Sequence, residues 1–533
     1  MRFTFTIGLI LLGLINVFGQ NAATKFQGTS EKLSALFYHI EANYVDSVDL
    51  DGLVDDAIRE MLEELDPHSV YIPTKEVAKA NEGLEGNFEG IGIQFNILKD
   101  TIIVVSPIAG GPSEILGIIA GDKIVSIDGE NVAGIGVTND DVTSKLRGSK
   151  GTLVTVGIRR RGEKNAIPFE ITRDQIPIYS LDASYMATPK IGYIKLNRFS
   201  KTTMDEFKNA ITALKAKGME DLILDLQGNG GGFLETSIRL SDEFLGANDL
   251  IVYTEGRAYK RNDSKATAAG NFENGRLVVL IDEGSASASE IVAGAIQDQD
   301  RGLIVGRRSF GKGLVQRPIP LPDGSVVRLT TQKYYTPSGR CIQKPYDEGA
   351  EAYYLEKYQR YESGELLSLD SLQLPDSLKF FTDNKRLVYG GGGITPDVFV
   401  PIDTSQSSQL NTDLIRKGVM NSFAITYTNQ NRKSILKVSP TVDSYDKNFD
   451  VEPVIAEFKA YAAAEYPDME WKDEDYTHSK EMIDGRLKAL IARNLWDFSA
   501  YYQVFNPQWP SYRAALNLLQ DGAYANYNLA KTD

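Results

Sequence analysis

The stretch Arg276-Leu-Val-Val-Leu-Ile-Asp-Glu-Gly-Ser-Ala-Ser-Ala-Ser-Glu-Ile-Val-Ala-Gly-Ala-Ile-Gln-Asp298 decides how the chain is read. Leu277 to Ile281 is a short, β-branched apolar run, the pattern of a buried strand. Gly284 breaks it, and Ile291 to Ile296 then reads as a buried helix. Ser285, Ser287 and Ser289 therefore sit at a strand-to-helix turn, where the first N–H groups of the helix have no internal partners. Such a turn can expose a hydroxyl and aim N–H donors at a developing oxyanion. Ser287 and Glu290 also fit the capping pattern S-x-x-E, and capping alone would account for a serine there. Residue pattern by itself does not choose between a cap and a nucleophile. Downstream, Gly311-Lys312-Gly313 holds one lysine between two glycines.

Taken together, Gly-Ser-Ala-Ser-Ala-Ser-Glu-Ile at 284–291, Gly294-Ala295-Ile296-Gln297-Asp298 and Phe310-Gly311-Lys312-Gly313-Leu314-Val315-Gln316 closely resemble the core of the carboxy-terminal processing peptidases. These are PDZ-containing serine proteases with a Ser/Lys catalytic dyad, also called tail-specific proteases. The resemblance runs from about Leu33 to Val400 and implies Ser287 as nucleophile and Lys312 as general base. Gln316 matches the glutamine that orients the lysine in some members, and Asp298 an aspartate implicated in others. The resemblance also implies an oxyanion hole from the N–H of Gly231, or its neighbour Gly232, and that of Ala288. Glycine suits this, because no side chain blocks close backbone approach.

A serine hydroxyl is a weak nucleophile until a base takes its proton. Lysine serves only when neutral, and burial or a neighbouring cation lowers its pKa. Phe310, Leu314 and Val315 flank Lys312 and can supply that burial. Asp298 lies eleven residues after Ser287. On one straight helix that is nearly the same face but about 16 Å along the axis, so a structural role is expected for Asp298, and Gln316 is the better candidate to orient the amine.

Composition bounds the alternatives. The chain has 533 residues and 42% apolar content, enough for several folded domains. The net charge of −15, with 72 acidic against 57 basic residues, argues against nucleic-acid binding. The single cysteine, Cys341, excludes an intramolecular disulfide. It lies in Thr336-Pro337-Ser338-Gly339-Arg340-Cys341, which looks like the family's Thr-Pro-Ser-Gly-Arg segment, and an inert thiol is expected. The three histidines, His39, His68 and His478, are dispersed, so a lysine base is the simpler hypothesis and no zinc-like spacing exists. No metal and no cofactor is expected. The glycine run 228–232 lacks the lysine and Ser/Thr of a phosphate loop.

In chain order, residues 1–19 read as a secretory signal peptide: Phe3 to Phe18 is mostly apolar and uncharged, and a cut is expected between Gly19 and Gln20. The run is shorter than the roughly 20 residues of a spanning helix. This points to an exported protein of the periplasm or cell envelope of a bacterium, membrane-associated if the signal is uncleaved. Residues 20–82 read as a helical region, within which Asp66-Pro67-His68-Ser69 ends the periodic run from Leu53 to Leu65.

Residues 83–173 show the strand, turn and helix order of a PDZ domain. In it Gly90, Ile91, Gly92 and Ile93 would offer N–H groups to a peptide's terminal carboxylate, and the peptide would add as a strand to a sheet edge. Residues 174–404 read as an α/β peptidase core, in which 347–376 is expected to be a polar, irregular insertion. Residues 405–533 read as helical, with amphipathic stretches at 454–466 and 480–502. They could cap the core, form a homo-oligomer face or bind an adaptor.

The expected fold is thus multidomain α/β: a helical N-terminal region, a PDZ-like domain, an α/β protease core and a helical C-terminal region. The expected activity is that of a serine endopeptidase acting on exported proteins or peptides chosen by their free C-termini. The alternatives are a PDZ-bearing scaffold with an inactive core, which intact Ser287 and Lys312 oppose, and a hydrolase of non-peptide substrates, which the PDZ-like unit opposes.

Overall fold

The computed structural model describes residues 26–530 apart from 109, 120, 161, 373 and 528. The signal-like segment 1–19 lies outside the described residues. The chain divides into a small unit, residues 1–74 with 318–329, and a large one, residues 75–317 with 330–533.

In the small unit, residues 26–43 are helical and the helix Leu50–Glu63 follows, its first turn capped by Asp49. The break after it is a side-chain turn. The Asp66 carboxylate accepts the N–H of His68 (2.8 Å) and of Ser69 (2.9 Å). His68 thus serves the turn through its main chain. Residues 70–72 pair antiparallel with 326–328.

The large unit contains the PDZ-like sheet. Its strands are ordered Ile93–Ile97, Ile102–Pro107, Lys123–Ile127, Leu153–Arg159, Ile167–Thr172, with the helix Asn139–Leu146 beside it. Ile102, Val104, Ile124, Val142, Val156 and Ile158 fill its core. Asn87–Gly90 pairs with Asp174–Pro177, so the entering and leaving chains are tied together.

The peptidase core is a six-stranded sheet: β1 (Leu181–Met186), β2 (Ile191–Leu196), β3 (Asp221–Asp225), β4 (Leu277–Ile281), β5 (Leu303–Gly306) and β6 (Val398–Phe399), in that spatial order. Only β1 runs antiparallel to its neighbour. The connections include the helices α1 (Thr203–Ala216), α2 (Leu234–Asp242) and α3 (Ala288–Asp298). Side chains alternate between the faces of a strand. Leu222, Leu224, Leu277, Val279 and Ile281 meet α1, α2 and α3 on one face. Ile223, Val278, Leu280, Leu303 and Val305 point the other way and are covered by Tyr512, Ala515, Leu519 and Tyr524.

The C-terminal region therefore does two different things. Residues 410–495 build a helical core of their own, whereas the helix Pro510–Gln520 and Tyr524 complete the peptidase sandwich. A separate core thus starts just after 405, where the helical region was expected to begin, and within that region the packing changes again after Phe505, where the chain returns to the peptidase sheet. The helix expected over 480–502 is two, Lys480–Leu495 and Phe498–Phe505, because Asp497 accepts the N–H of Ala500 (2.9 Å) and starts a new one.

The stretch 347–376 is also not irregular throughout: it contains the helix Gly349–Glu362. Its buried face carries Tyr353 and Arg360, so apolar periodicity does not mark it.

Deleting 498–533 should abolish folding of the core. Uncovering Ile223, Val278, Leu280, Leu303 and Val305 forfeits about 1.5–3 kcal/mol per side chain, comparable with the whole stability of a domain. A thermal melt followed by near-ultraviolet dichroism checks this; a cooperative transition in the truncated chain would refute it.

Candidate active site

The turn between β4 and α3 separates its three serines. Ser285 and Ser289 are fully buried. Their hydroxyls donate to the carbonyls of Leu226 and Asn229, both at 2.8 Å. Ser287 alone keeps partial exposure. Its backbone stands at φ 55°, ψ −111°, a conformation that costs a non-glycine residue about 1–3 kcal/mol and that clusters at functional sites. The N–H of Glu290 goes to the main-chain oxygen of Ser287 (2.9 Å), so the start of α3 has a main-chain bond beside the capping box that Ser287 and Glu290 form.

Glu290 does more than cap. Its buried carboxylate accepts the N–H of Ser287 (2.8 Å), Gly311 (2.7 Å) and Lys312 (2.9 Å) and the hydroxyl of Ser309 (2.5 Å). Burial pushes its pKa up, and the four donated bonds oppose that rise. Ser287 and Lys312 share one oxygen, Oε2.

Tyr334, buried on the strand Val326–Tyr335, closes the other side. Its hydroxyl donates toward the carbonyls of Lys312 (2.6 Å) and Ser287 (3.1 Å). Burial holds this phenol far above its usual pKa, so it stays a donor. The main chains of Ser287 and Lys312 thus run side by side, joined at their N–H groups by Glu290 and at their carbonyls by Tyr334.

The lysine loop also needs its glycines. Gly313 lies so close to the segment after Arg340 that a Cβ would stand 2.8 Å from the Gln343 nitrogen. Gly311, at φ 91°, is equally crowded by the Gly392–Gly393 peptide. Lys312 is half-buried, with Leu314 buried behind it.

The glycine run after β3 reaches the same place. A Cβ on Gly231 would lie 2.9 Å from Ser287 Cβ and 3.0 Å from the Ala288 nitrogen. Gly231, Ser287 and Ala288 are therefore brought together. The N–H of Gly231 donates to Asn229 Oδ1 (2.9 Å), which leaves its neighbour Gly232 as the alternative donor. The run is rooted in a buried network: Lys195 Nζ donates to the Gln227 carbonyl (2.9 Å) and pairs with Asp225 (3.2 Å), and Ser511 donates to the Gln227 side chain (2.9 Å).

Two expected site residues have other partners. Asp298 forms a fully buried ion pair with Arg340 (2.7 Å) and accepts the N–H (3.0 Å) and hydroxyl (2.7 Å) of Ser338. It anchors the Thr336–Arg340 turn, in keeping with a structural rather than a triad role. Gln316 is half-buried, and its amide donates to Thr330 Oγ1 (3.2 Å). Cys341 is a half-buried free thiol whose pKa burial pushes up, the opposite of activation.

In the PDZ-like domain, Ile93–Ile97 pairs with Ile102–Pro107 on one edge. Across from it the helix Asn139–Leu146 frames a pocket of about 110 Å³ lined by Phe88, Ile91, Gly92, Phe95 and Leu146. Gly92 takes φ 72°, and a Cβ there would press on Ile176 at 3.0 Å. The carbonyl of Ile91 is held by the Ser113 hydroxyl (2.6 Å), which fixes the loop 90–93.

Sequence reasoning missed Glu290 as a tie, Tyr334 altogether, and Asn229 as the partner of Gly231. The S-x-x-E signal was present for the first of these but has an ordinary capping meaning.

Separate parts of the chain match separate family models. The model of Peptidase family S41 matches residues 190–350, that of the PDZ domain 103–160, and that of the activating protease CtpB N-terminal domain 16–76. Residues 410–497 match a family of unknown function. The carboxy-terminal-processing protease of Bartonella bacilliformis is 35% identical over 422 residues, covering 76% of this chain and 93% of that protein. The carboxy-terminal processing protease CtpA of Bacillus subtilis is 36% identical over 337 residues, covering 63% and 71%. Among solved structures, the photosystem II D1 C-terminal processing protease is similar over 68% of this chain and 91% of its own, at 26% identity and a TM-score of 0.36.

Proposed function

Because this chain belongs to the carboxy-terminal processing proteases of peptidase family S41, we propose that it is a serine endopeptidase working through Ser287 and Lys312. The observation that carries this is the double tie of their main chains by Glu290 and Tyr334. The Ser287 hydroxyl attacks the scissile carbonyl carbon and its proton passes to the neutral amine of Lys312. The tetrahedral oxyanion is met by the N–H of Ala288, at the start of α3, and by one from the glycine run at 231–232. The C–N bond then breaks, and Lys312 returns the proton to the leaving amine. Water, deprotonated by Lys312, attacks the ester and releases Ser287. Oxyanion stabilisation by the Gly231 N–H requires it to leave Asn229, so Gly232 is the simpler donor.

Substrates are polypeptides with free C-termini. The tail adds as a strand along Ile93–Ile97, its carboxylate on the N–H groups of Gly90 to Ile93 and its last side chain in the Phe88–Leu146 pocket. Amidating the terminus of a test peptide should lower kcat/KM about tenfold or more, since it removes a charge-assisted contact worth at least 1.4 kcal/mol. Equal rates for the free acid and the amide would show that the terminus is not read.

The apolar segment at 3–18 supports export to a bacterial envelope. Amino-terminal sequencing of the mature protein tests this: a start near Gln20 agrees with it, and retained Met1 on a cytoplasmic protein contradicts it.

A further inference from the structure

The helix Gly349–Glu362 begins where the match to the Peptidase family S41 model ends. Its buried face lies against the chain that leads into Lys312. Arg360, only 3% exposed, spreads its guanidinium over three successive carbonyls: Ser309 (2.8 Å), Arg308 (3.3 Å) and Phe310 (3.3 Å). Its Nε donates to Glu356 (2.9 Å).

Glu356 also accepts from Lys344 (2.7 Å), a buried ammonium seated 4.2 Å from the Phe310 ring centroid and 4.0 Å from that of Tyr353. Arg308 is held in turn by Glu365 (2.7 Å). The same short loop is therefore gripped on both sides. Its carbonyls at 308–310 face a buried cation, while the Ser309 hydroxyl and the N–H groups of Gly311 and Lys312 face the buried anion Glu290.

A guanidinium suits this place and an ammonium does not. Its planar fork reaches several acceptors at fixed spacing, whereas a lysine offers one point charge on a flexible stem. The carbonyls at 308–310 would otherwise be left buried without an equivalent partner, and the loop would have reason to rotate. Since Lys312 follows Phe310 by two residues, such a rotation would carry its amine away from Ser287.

We propose that Arg360 is a positioning residue for Lys312, acting through the 308–310 carbonyls. This rests on Lys312 being the base. The residue makes no contact with the tail-binding groove, so its loss should fall on chemistry and not on substrate binding. A displacement of about 1 Å at a reacting group can cost about 100-fold in rate.

The test uses the full chain with an unstructured free-acid peptide, measuring kcat and KM for wild type, Arg360→Ala, Arg360→Lys and Ser287→Ala. Arg360→Lys keeps the charge of the ion cluster and so guards against a variant that merely fails to fold. The expected result is a fall in kcat of at least 30-fold in Arg360→Ala and at least 10-fold in Arg360→Lys, with KM within twofold of wild type. Wild-type kcat in either folded variant, or a loss carried mainly by KM, would overturn the proposal. Persistent turnover in Ser287→Ala would instead defeat the assignment of the site itself, so the two failures are distinguishable.

Discussion

Ser287→Ala and Lys312→Ala should each give a folded protein whose peptide turnover is lower by about 10⁴-fold or more, the scale on which removing one member of a concerted catalytic unit acts. The structure makes the folding half of this expectation specific. The four bonds that tie Ser287 and Lys312 to Glu290 and Tyr334 run through main-chain atoms of the two residues, so truncating either side chain leaves them in place. The start of α3 likewise keeps its bond to the Ser287 carbonyl, and loses only the capping contribution of the hydroxyl, about 1 kcal/mol. Melting temperatures should therefore move little while activity vanishes. Because the two side chains act on one proton, the double variant should be no slower than the worse single one. Full activity in a folded Lys312→Ala protein would dismiss lysine as the base.

Glu290→Ala is expected to cut turnover at least 100-fold and to destabilise the core by several kcal/mol. Removing the carboxylate strands three N–H groups and one hydroxyl in a buried site, at about 1–3 kcal/mol for each donor left unsatisfied. It also uncouples the serine turn from the lysine loop. Glu290→Gln keeps the volume but turns an amide NH₂ toward groups that themselves donate, so it should sit nearer to Ala than to wild type. Turnover and a chemical melt on the same preparations check both variants. Wild-type turnover in Glu290→Ala would show that Tyr334 alone holds the two loops in register.

Much of this architecture is legible in the chain because parallel strands buried on both faces read as unbroken apolar runs. Leu222–Leu224 and Leu277–Ile281 are of that kind, and the α/β core follows from them. What such runs do not say is who covers the second face. Tyr512, Leu519 and Tyr524, more than 200 residues later in the chain, do so.

Helix Gly349–Glu362 was hidden for a related reason. Its inward face is Tyr353, Glu356 and Arg360, and its outward face includes Tyr354 and Tyr358, so polarity does not separate the two. Site partners were legible only where a motif names them. Ser287 and Lys312 lie in motifs whose combination matches the family, although the serine's own pattern reads equally as a cap. Asp298 lies in one too, yet its neighbours Arg340 and Ser338 come from a distant loop that no local spacing reveals. Gln316 is near Lys312 in sequence but turns to Thr330 across a strand pair.

The most direct test of the central claim is to trap the acyl-enzyme. Mixing the protein with a peptidyl p-nitrophenyl ester, for which acylation is fast, and quenching in acid should leave an acyl group that peptide mapping locates. That group is expected on Ser287, absent in Ser287→Ala and formed at least 100-fold more slowly in Lys312→Ala. An adduct on any other residue, or an unchanged acylation rate in Lys312→Ala, would contradict it.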